Sequence, residues 1–301
     1  MTRVLITGAT GFIGSHCLNA LIAGDRFEIH AVNRSGQDPG ADRVTWHRTD
    51  LRVPAQAARL IETVRPTHVL HGAWVATPGI YAQSPENIDW LQGSLALIHG
   101  FALNGGVRFV GIGSSAEYDP GASPCIEDET PLRPASIYSK CKLACWLALD
   151  AAAQAHGFSA AWGRLFLPYG PGDPPQRLIP AVMANLEAGK PMALSHGNQM
   201  RDFVYAPDAA DLLVKLLWSK AAGAFNIGTG EGASLRSVIE FLADRLGNKD
   251  CLRFGALPPR PGEPDVLVAD LRKVTRELGW APGLPLRRRL EILTQGMTTA
   301  L

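Results

Sequence analysis

Little in this chain points to metal, disulfide or membrane chemistry. Its 301 residues hold five cysteines, Cys17, Cys125, Cys141, Cys145 and Cys251, and none falls in a metal-ligating spacing. Cys141 and Cys145 stand one helical turn apart, but buried thiols in a reducing cytosol are the expected state. Neither a disulfide nor a structural metal is therefore expected. No apolar run is long enough to cross a bilayer, and the first strand pattern begins at residue 3. That leaves no room for a signal peptide, so a cytoplasmic protein without membrane partners is expected. An excess of one charge is missing too. Lys and Arg number 29 against 28 Asp and Glu, a formal net charge of +1, which argues against nucleic acid or an anionic surface as a partner. The longest basic run, Arg287-Arg288-Arg289, reads as the exposed face of a terminal helix.

What is present is an alternation. Strand patterns at Val4–Ile6, Ile29–Val32, Val44–His47, Val69–Gly72, Phe109–Ile112 and Ala160–Phe166 are separated by helical patterns. The helices lie near Gly14–Ala23, Gln56–Val64, Pro85–Leu103 and Ile137–Ala155. Such alternation predicts an α/β fold, a doubly wound parallel sheet covered on both faces, with ligands beyond the carboxyl ends of its strands. From Leu167 the texture changes to a turn-rich link, Pro168 to Pro175, and Pro/Gly clusters recur at Pro258–Pro264 and Ala281–Pro285. Residues 1–166 are expected to form the nucleotide-binding domain. The stretch 203–229 returns to it as a helix and a strand, while 167–202 and 230–301 build a smaller substrate lobe.

The first strand runs into Thr7-Gly8-Ala9-Thr10-Gly11-Phe12-Ile13-Gly14. At this spacing Gly8 permits the tight turn and Gly11 leaves room for a pyrophosphate against the backbone. Gly14 lets helix and strand pack closely, and the helix N-terminus offers N–H groups to phosphate. Gly8, Thr10, Gly11, Phe12, Ile13 and Gly14 are thus the candidate cradle of a Rossmann-type dinucleotide site. After the second strand, where an NAD enzyme commonly carries an acid for the ribose diol, stand Asn33 and Arg34. A neutral amide beside a guanidinium favours the 2′-phosphate, so NADP(H) is preferred, with NAD(H) the alternative. Asp50 and Leu51, after the third strand, fit a contact to the adenine.

A Tyr and a Lys one helical turn apart, Tyr138 and Lys142, follow Ser114, which ends a strand. A nearby ammonium stabilises a phenolate and lowers the phenol's pKa, Lys142 can also bond the nicotinamide ribose, and a serine hydroxyl polarises a carbonyl. Lys140 should point away from this face. Glycine loop, serine and Tyr-x-x-x-Lys in this order describe an oxidoreductase using a nicotinamide dinucleotide.

Over nearly its whole length the chain resembles the extended short-chain dehydrogenase/reductase family, in the branch acting on nucleotide sugars. The resemblance includes Arg201-Asp202-Phe203-Val204-Tyr205, Asn226-Ile227-Gly228-Thr229-Gly230, Arg260-Pro261-Gly262-Glu263 and Glu277-Leu278-Gly279-Trp280. It implies that Arg201 and Arg260 grip a nucleotide diphosphate, as the forked guanidinium suits, and that Ala73 lies near the nicotinamide. It also implies a homodimer through the helices Pro85–Leu103 and Ile137–Ala155, whose apolar faces carry Leu91, Leu95, Ile98, Leu143, Trp146 and Leu147.

Several positions depart from the family. Dehydratases place acids in the two positions after the catalytic Ser/Thr, where this chain has Ser115 and Ala116. Glu117, one further on, should face the other way on an extended segment. Leu167 replaces an Asn, Trp74 enters a stretch of small residues and Trp90 replaces another Asn. Trp74, Thr77 and Ser115 are the candidate sugar-pocket residues, with packing the alternative for both tryptophans. The expected activity is NADP(H)-dependent reduction of a nucleotide-activated 4-keto-6-deoxyhexose with Tyr138 as proton donor. The alternatives are a nucleotide-sugar 4-epimerase with bound NAD and a ketoreductase of a non-nucleotide substrate.

Overall fold

A computed structural model describes residues 2–24, 27–36, 43–260 and 262–298, without the side chains of 296–298. Its centre is a seven-stranded sheet in which every neighbouring pair is parallel. In chain order the first elements are β1 (Arg3–Thr7), α1 (Phe12–Ile22), β2 (Glu28–Asn33), β3 (Val44–Arg48), α2 (Pro54–Val64) and β4 (His68–His71). They are followed by α3 (Glu86–Leu103), β5 (Arg108–Ser114), α4 (Ile137–His156) and β6 (Ser159–Leu165).

Alternation along the strands feeds two cores. On β1, Val4 and Ile6 face one side, where they meet α1 through Cys17, Leu18 and Leu21. Leu5 faces the other side, with Leu60 and Ile61 of α2, Leu97 and Phe101 of α3, and Leu149 of α4. Both faces are covered, so the strands read as continuous apolar runs rather than half-buried stripes.

The second lobe follows with β7 (Leu167–Tyr169), α5 (Leu178–Glu187), β8 (Met192–Ala193) and β9 (Met200–Tyr205). The chain continues through α6 (Ala206–Trp218), β10 (Gly223–Ile227), β11 (Gly232–Ser234), α7 (Leu235–Leu246), β12 (Leu252–Arg253), β13 (Val266–Leu267), α8 (Arg272–Leu278) and α9 (Leu286–Thr298). Strand β9 is the hub of a small sheet with β7, β11 and β13. Val182 and Leu186 of α5, Val238 and Leu242 of α7, and Leu290 of α9 form this lobe's core around Tyr169, Phe203 and Tyr205. Strand β10 returns to the large sheet beside β6.

Two sequence expectations change here. The helix expected from Phe203 begins at Ala206, because residues 200–205 pair as β9. The link after residue 166 opens with strand β7, since Leu167 to Tyr169 pairs with β9. The arginine run does lie on the terminal helix. Arg287 and Arg288 are exposed, but Arg289 turns inward and donates to Asp208 at 2.6 Å.

Candidate active site

The glycine loop spans the turn between β1 and α1, at the carboxyl edge where the strand order reverses between β1 and β4. Gly8 has φ +73, and a Cβ there would lie 2.7 Å from the Ala73 amide nitrogen. A Cβ on Gly14 would collide with the Gly8 carbonyl. Helix α1 starts on Gly11 with no side chain capping its first N–H groups, and Thr10 and Gly11 are exposed. Uncapped helix donors beside an open glycine loop fit a pyrophosphate. Phe12 and Ile13 sit half-buried on the first turn.

Gly14→Ala is expected to weaken NADH binding roughly ten- to a hundredfold, because relieving such a collision costs about 1–3 kcal/mol. Titration of protein fluorescence with NADH measures it, and an unchanged affinity would detach the loop from the dinucleotide.

At the end of β2, Asn33 is buried and its Oδ1 accepts from the Gly36 amide at 2.7 Å, closing a turn, while Arg34 is exposed. The Asp50 carboxylate is engaged by Arg52, whose Nη2 donates at 2.7 Å and whose Nη1 reaches Glu86 at 3.3 Å. The Arg52 bonds hold the Asp50 carboxyl below its usual range. Leu51 is buried, and its carbonyl lies so close to Gly93 of α3 that a Cβ there would collide.

The Tyr138 and Lys142 side chains stand one turn apart on α4. The helix begins on a Ser136–Ser139 capping box and ends on Gly157 in the left-handed region. Tyr138 stands beside Ser114 at the end of β5 and meets the Tyr81 ring edge to face, with centroids 4.8 Å apart. Lys142 is 4 % exposed, and its Nζ donates to the Ile112 carbonyl at 2.8 Å. Burial pulls the ammonium down to about 8. The phenol departs from the sequence expectation. Lys142 Nζ lies 6.0 Å from the Tyr138 ring centroid, and burial, the largest influence, raises the phenol's pKa rather than lowering it. Lys140 is exposed, facing away as the helix period requires.

Glu117 corrects a second expectation. Residues Ser115–Glu117 form a turn of 3₁₀ helix, not an extended segment, and this turn carries Glu117 into the interior. Its Oε1 accepts from the Ser114 amide at 2.8 Å and from Trp162 Nε1 at 3.0 Å, and its Oε2 accepts from Arg164 Nε at 3.0 Å. Both charged side chains are buried, Glu117 at 0 % and Arg164 at 1 % exposure. The carboxylate is thus occupied in holding the serine's backbone. Ser115 is buried beside it and Ala116 is exposed.

The segment after β4 packs over α4. The Trp74 indole lies on Lys142, 4.0 Å from Nζ to the centroid, and its Nε1 donates to Asn87 Oδ1 at 2.8 Å. Thr77 is exposed at a turn, and Ala73 is buried with its amide donating to Thr7 Oγ1. Trp90 is a packing residue, 8 % exposed in the core formed with α2 and α3. His71 joins Thr7 and Ser94 through its two ring nitrogens at 2.7 and 2.8 Å, and burial pushes it down to about 3, so it is neutral. Sequence reasoning missed Tyr81, Asn87 and His71. Only Asn87, an amide in the first turn of an apolar helical pattern, carried a local signal.

The second lobe closes toward the loop: Arg177 stacks over the Phe12 ring at 5.6 Å, and His16 Nε2 lies 2.8 Å from the Pro171 carbonyl. Arg201 is buried on β9, and its Nη2 donates to Glu263 Oε1 at 2.8 Å. Arg260 is exposed three residues before that glutamate, and Pro261 lies outside the described residues. The two arginine motifs are therefore brought together through Glu263.

The family model for the NAD-dependent epimerase/dehydratase family matches residues 4–228. UDP-glucose 4-epimerase 2 of Oryza sativa subsp. japonica is 29 % identical over 323 aligned residues, covering 92 % of this chain and 77 % of the relative. The solved UDP-glucose 4-epimerase of Thermus thermophilus, a complex with NAD, superposes with a TM-score of 0.87 at 26 % identity, covering 100 % of both chains. MoeE5 in complex with UDP-glucose and NAD gives a TM-score of 0.84 at 27 % identity over 99 % of each chain. With the glycine loop after β1 and Ser114 at the end of β5 on the same carboxyl edge of the parallel sheet, this chain belongs to the NAD-dependent epimerase/dehydratase family, enzymes of the extended short-chain dehydrogenase/reductase type.

Proposed function

We propose that this enzyme interconverts the C4 epimers of a nucleotide-activated hexose, with a UDP-sugar the first candidate. The observation that carries the reading is the placing of Tyr138 beside Ser114 while Glu117 is committed to Arg164. The site then has a proton carrier for an alcohol–ketone exchange, the positions that carry a dehydratase's acids hold Ser115 and Ala116, and the nearest acid, Glu117, is locked in an ion pair. A dinucleotide on the glycine loop supplies the two-electron chemistry. As the phenolate, Tyr138 Oη takes the proton of the sugar hydroxyl, and as the phenol it later returns that proton to the carbonyl oxygen. Ser114 Oγ bonds that same oxygen, and the Lys142 ammonium stabilises the phenolate. Since burial raises the phenol, proton transfer depends on Lys142 remaining charged, so turnover should fall as pH rises through about 8.

In this reading the lobe formed by 167–202 and 230–301 receives the sugar nucleotide. Arg201, oriented by Glu263, and the exposed Arg260 bind its diphosphate. Two copies pair through α3 and α4, where Leu95, Leu103 and Leu147 are exposed, whereas Ile98 and Trp146 are buried against the sheet.

A second reading rests on Asn33 and Arg34. With an amide closing the turn and a guanidinium exposed beside it, the site suits a 2′-phosphate, which favours NADP(H)-dependent reduction of a 4-keto-6-deoxyhexose nucleotide. One experiment separates them. Purified enzyme with NAD and no added reductant should equilibrate UDP-galactose and UDP-glucose, as followed by chromatography. No interconversion, together with NADPH oxidation by a UDP- or dTDP-4-keto-6-deoxyhexose, would establish the reductase instead.

A further inference from the structure

Trp74 interrupts a stretch of small residues, and its side chain is fixed on two sides. Asn87, wholly buried on α3, accepts from the indole Nε1 and directs its amide hydrogens to the carbonyls of Tyr81 and Ser84, at 2.7 and 2.8 Å. A rotated Asn87 would lose all three bonds, so it sets the plane of the indole. The face of that ring lies 4.0 Å from Lys142 Nζ, well inside cation–π range. A buried ammonium needs partners to offset its lost hydration. The Ile112 carbonyl is one, and the indole face is the second.

We propose that Trp74, held by Asn87, is a positioning residue for Lys142, its indole face fixing the ammonium one helical turn from the Tyr138 phenol. This deepens the reading of Tyr138 and Lys142 as the proton-moving pair and rests on it for its kinetic consequences. The groups facing Lys142 are Glu117 from the turn after β5, His71 from β4, and Cys145 and Tyr138 from α4. Burial keeps His71 neutral and pushes the Cys145 thiol up to about 12, the Tyr138 phenol is raised, and Glu117 is paired with Arg164. Burial raises the Glu117 carboxyl while Arg164 holds it, and Lys142, pulled down to about 8, changes charge between about pH 7 and about pH 9.

The test is the tryptophan emission of the full-length protein titrated over that range without dinucleotide or substrate, with folding checked by circular dichroism. The parent should show a step with its midpoint near 8, absent from both Trp74→Phe and Lys142→Met. A step that survives in Trp74→Phe, or a parent with none, would overturn the proposal. In turnover, Trp74→Leu should lose about tenfold in kcat with KM little changed, and Trp74→Phe, which keeps a π face, should recover most of it. Equal rates in the Leu and Phe variants would also overturn it. Because the emission arm needs no substrate, it stands or falls separately from the proposed epimerisation.

Discussion

Tyr138→Phe should lower turnover of the nucleotide sugar by about 10²–10⁴-fold while leaving NADH affinity within a few-fold of the parent. The substitution removes one oxygen, and the ring keeps its edge-to-face packing against Tyr81 and its place on a capped helix. What is lost is the group proposed to hold and return the substrate proton. Ser114 remains to bond the substrate oxygen but cannot replace a phenol supported by an ammonium. Initial rates with UDP-galactose, alongside a fluorescence titration with NADH, check both halves. A rate within tenfold of the parent would remove Tyr138 from the chemistry.

The largest stability effect is expected at Arg164. Its guanidinium, 1 % exposed, donates to Glu117 Oε2 at 3.0 Å, to Tyr118 Oη at 3.1 Å and to the Glu127 carbonyl at 3.2 Å. Arg164→Met fills similar volume but strands the Glu117 carboxylate without its counter-ion. Breaking one side of such a pair costs about 3–5 kcal/mol. Urea unfolding should show a clearly lower midpoint at unchanged slope. The double variant Arg164→Met, Glu117→Gln should regain part of the loss, because no buried charge is then left alone. If the single variant unfolds with the parent, the pair contributes nothing to the fold.

The parts of the site legible in the sequence are those set by local spacing. Gly8, Gly11 and Gly14 sit within a single turn between strand and helix, and Tyr138 and Lys142 are neighbours on α4 by the helix period alone. The strands of the large sheet were legible for the same reason, as short apolar runs between helical patterns. What escaped was decided by partners distant in the chain. Glu117 needed Trp162 and Arg164 on β6 to draw it inward, and its turn could not be told from an extended segment by pattern. Trp74 could be packing or pocket until Asn87 and Lys142 were placed around it. Residues 203–205 carry an apolar run that continues into α6, and only pairing with β7 separates strand from helix.

Strands β6 and β10 lie side by side in register, yet the chain leaves the sheet at Leu165 and does not rejoin it until Gly223. The intervening stretch contributes β7, β9 and α5 to the other lobe before α6 brings it back. That final crossover behaves as an insertion point. Lengthening it costs little, because the entropy of closing a loop grows only with the logarithm of its length. Nor would it disturb β5 and α4, which carry Ser114, Tyr138 and Lys142 and precede it in the chain. The architecture thus separates what must stay constant from what can be exchanged: the strands and helix carrying the glycine loop, Ser114, Tyr138 and Lys142 are laid down first, and the lobe proposed to receive the substrate is spliced in afterwards.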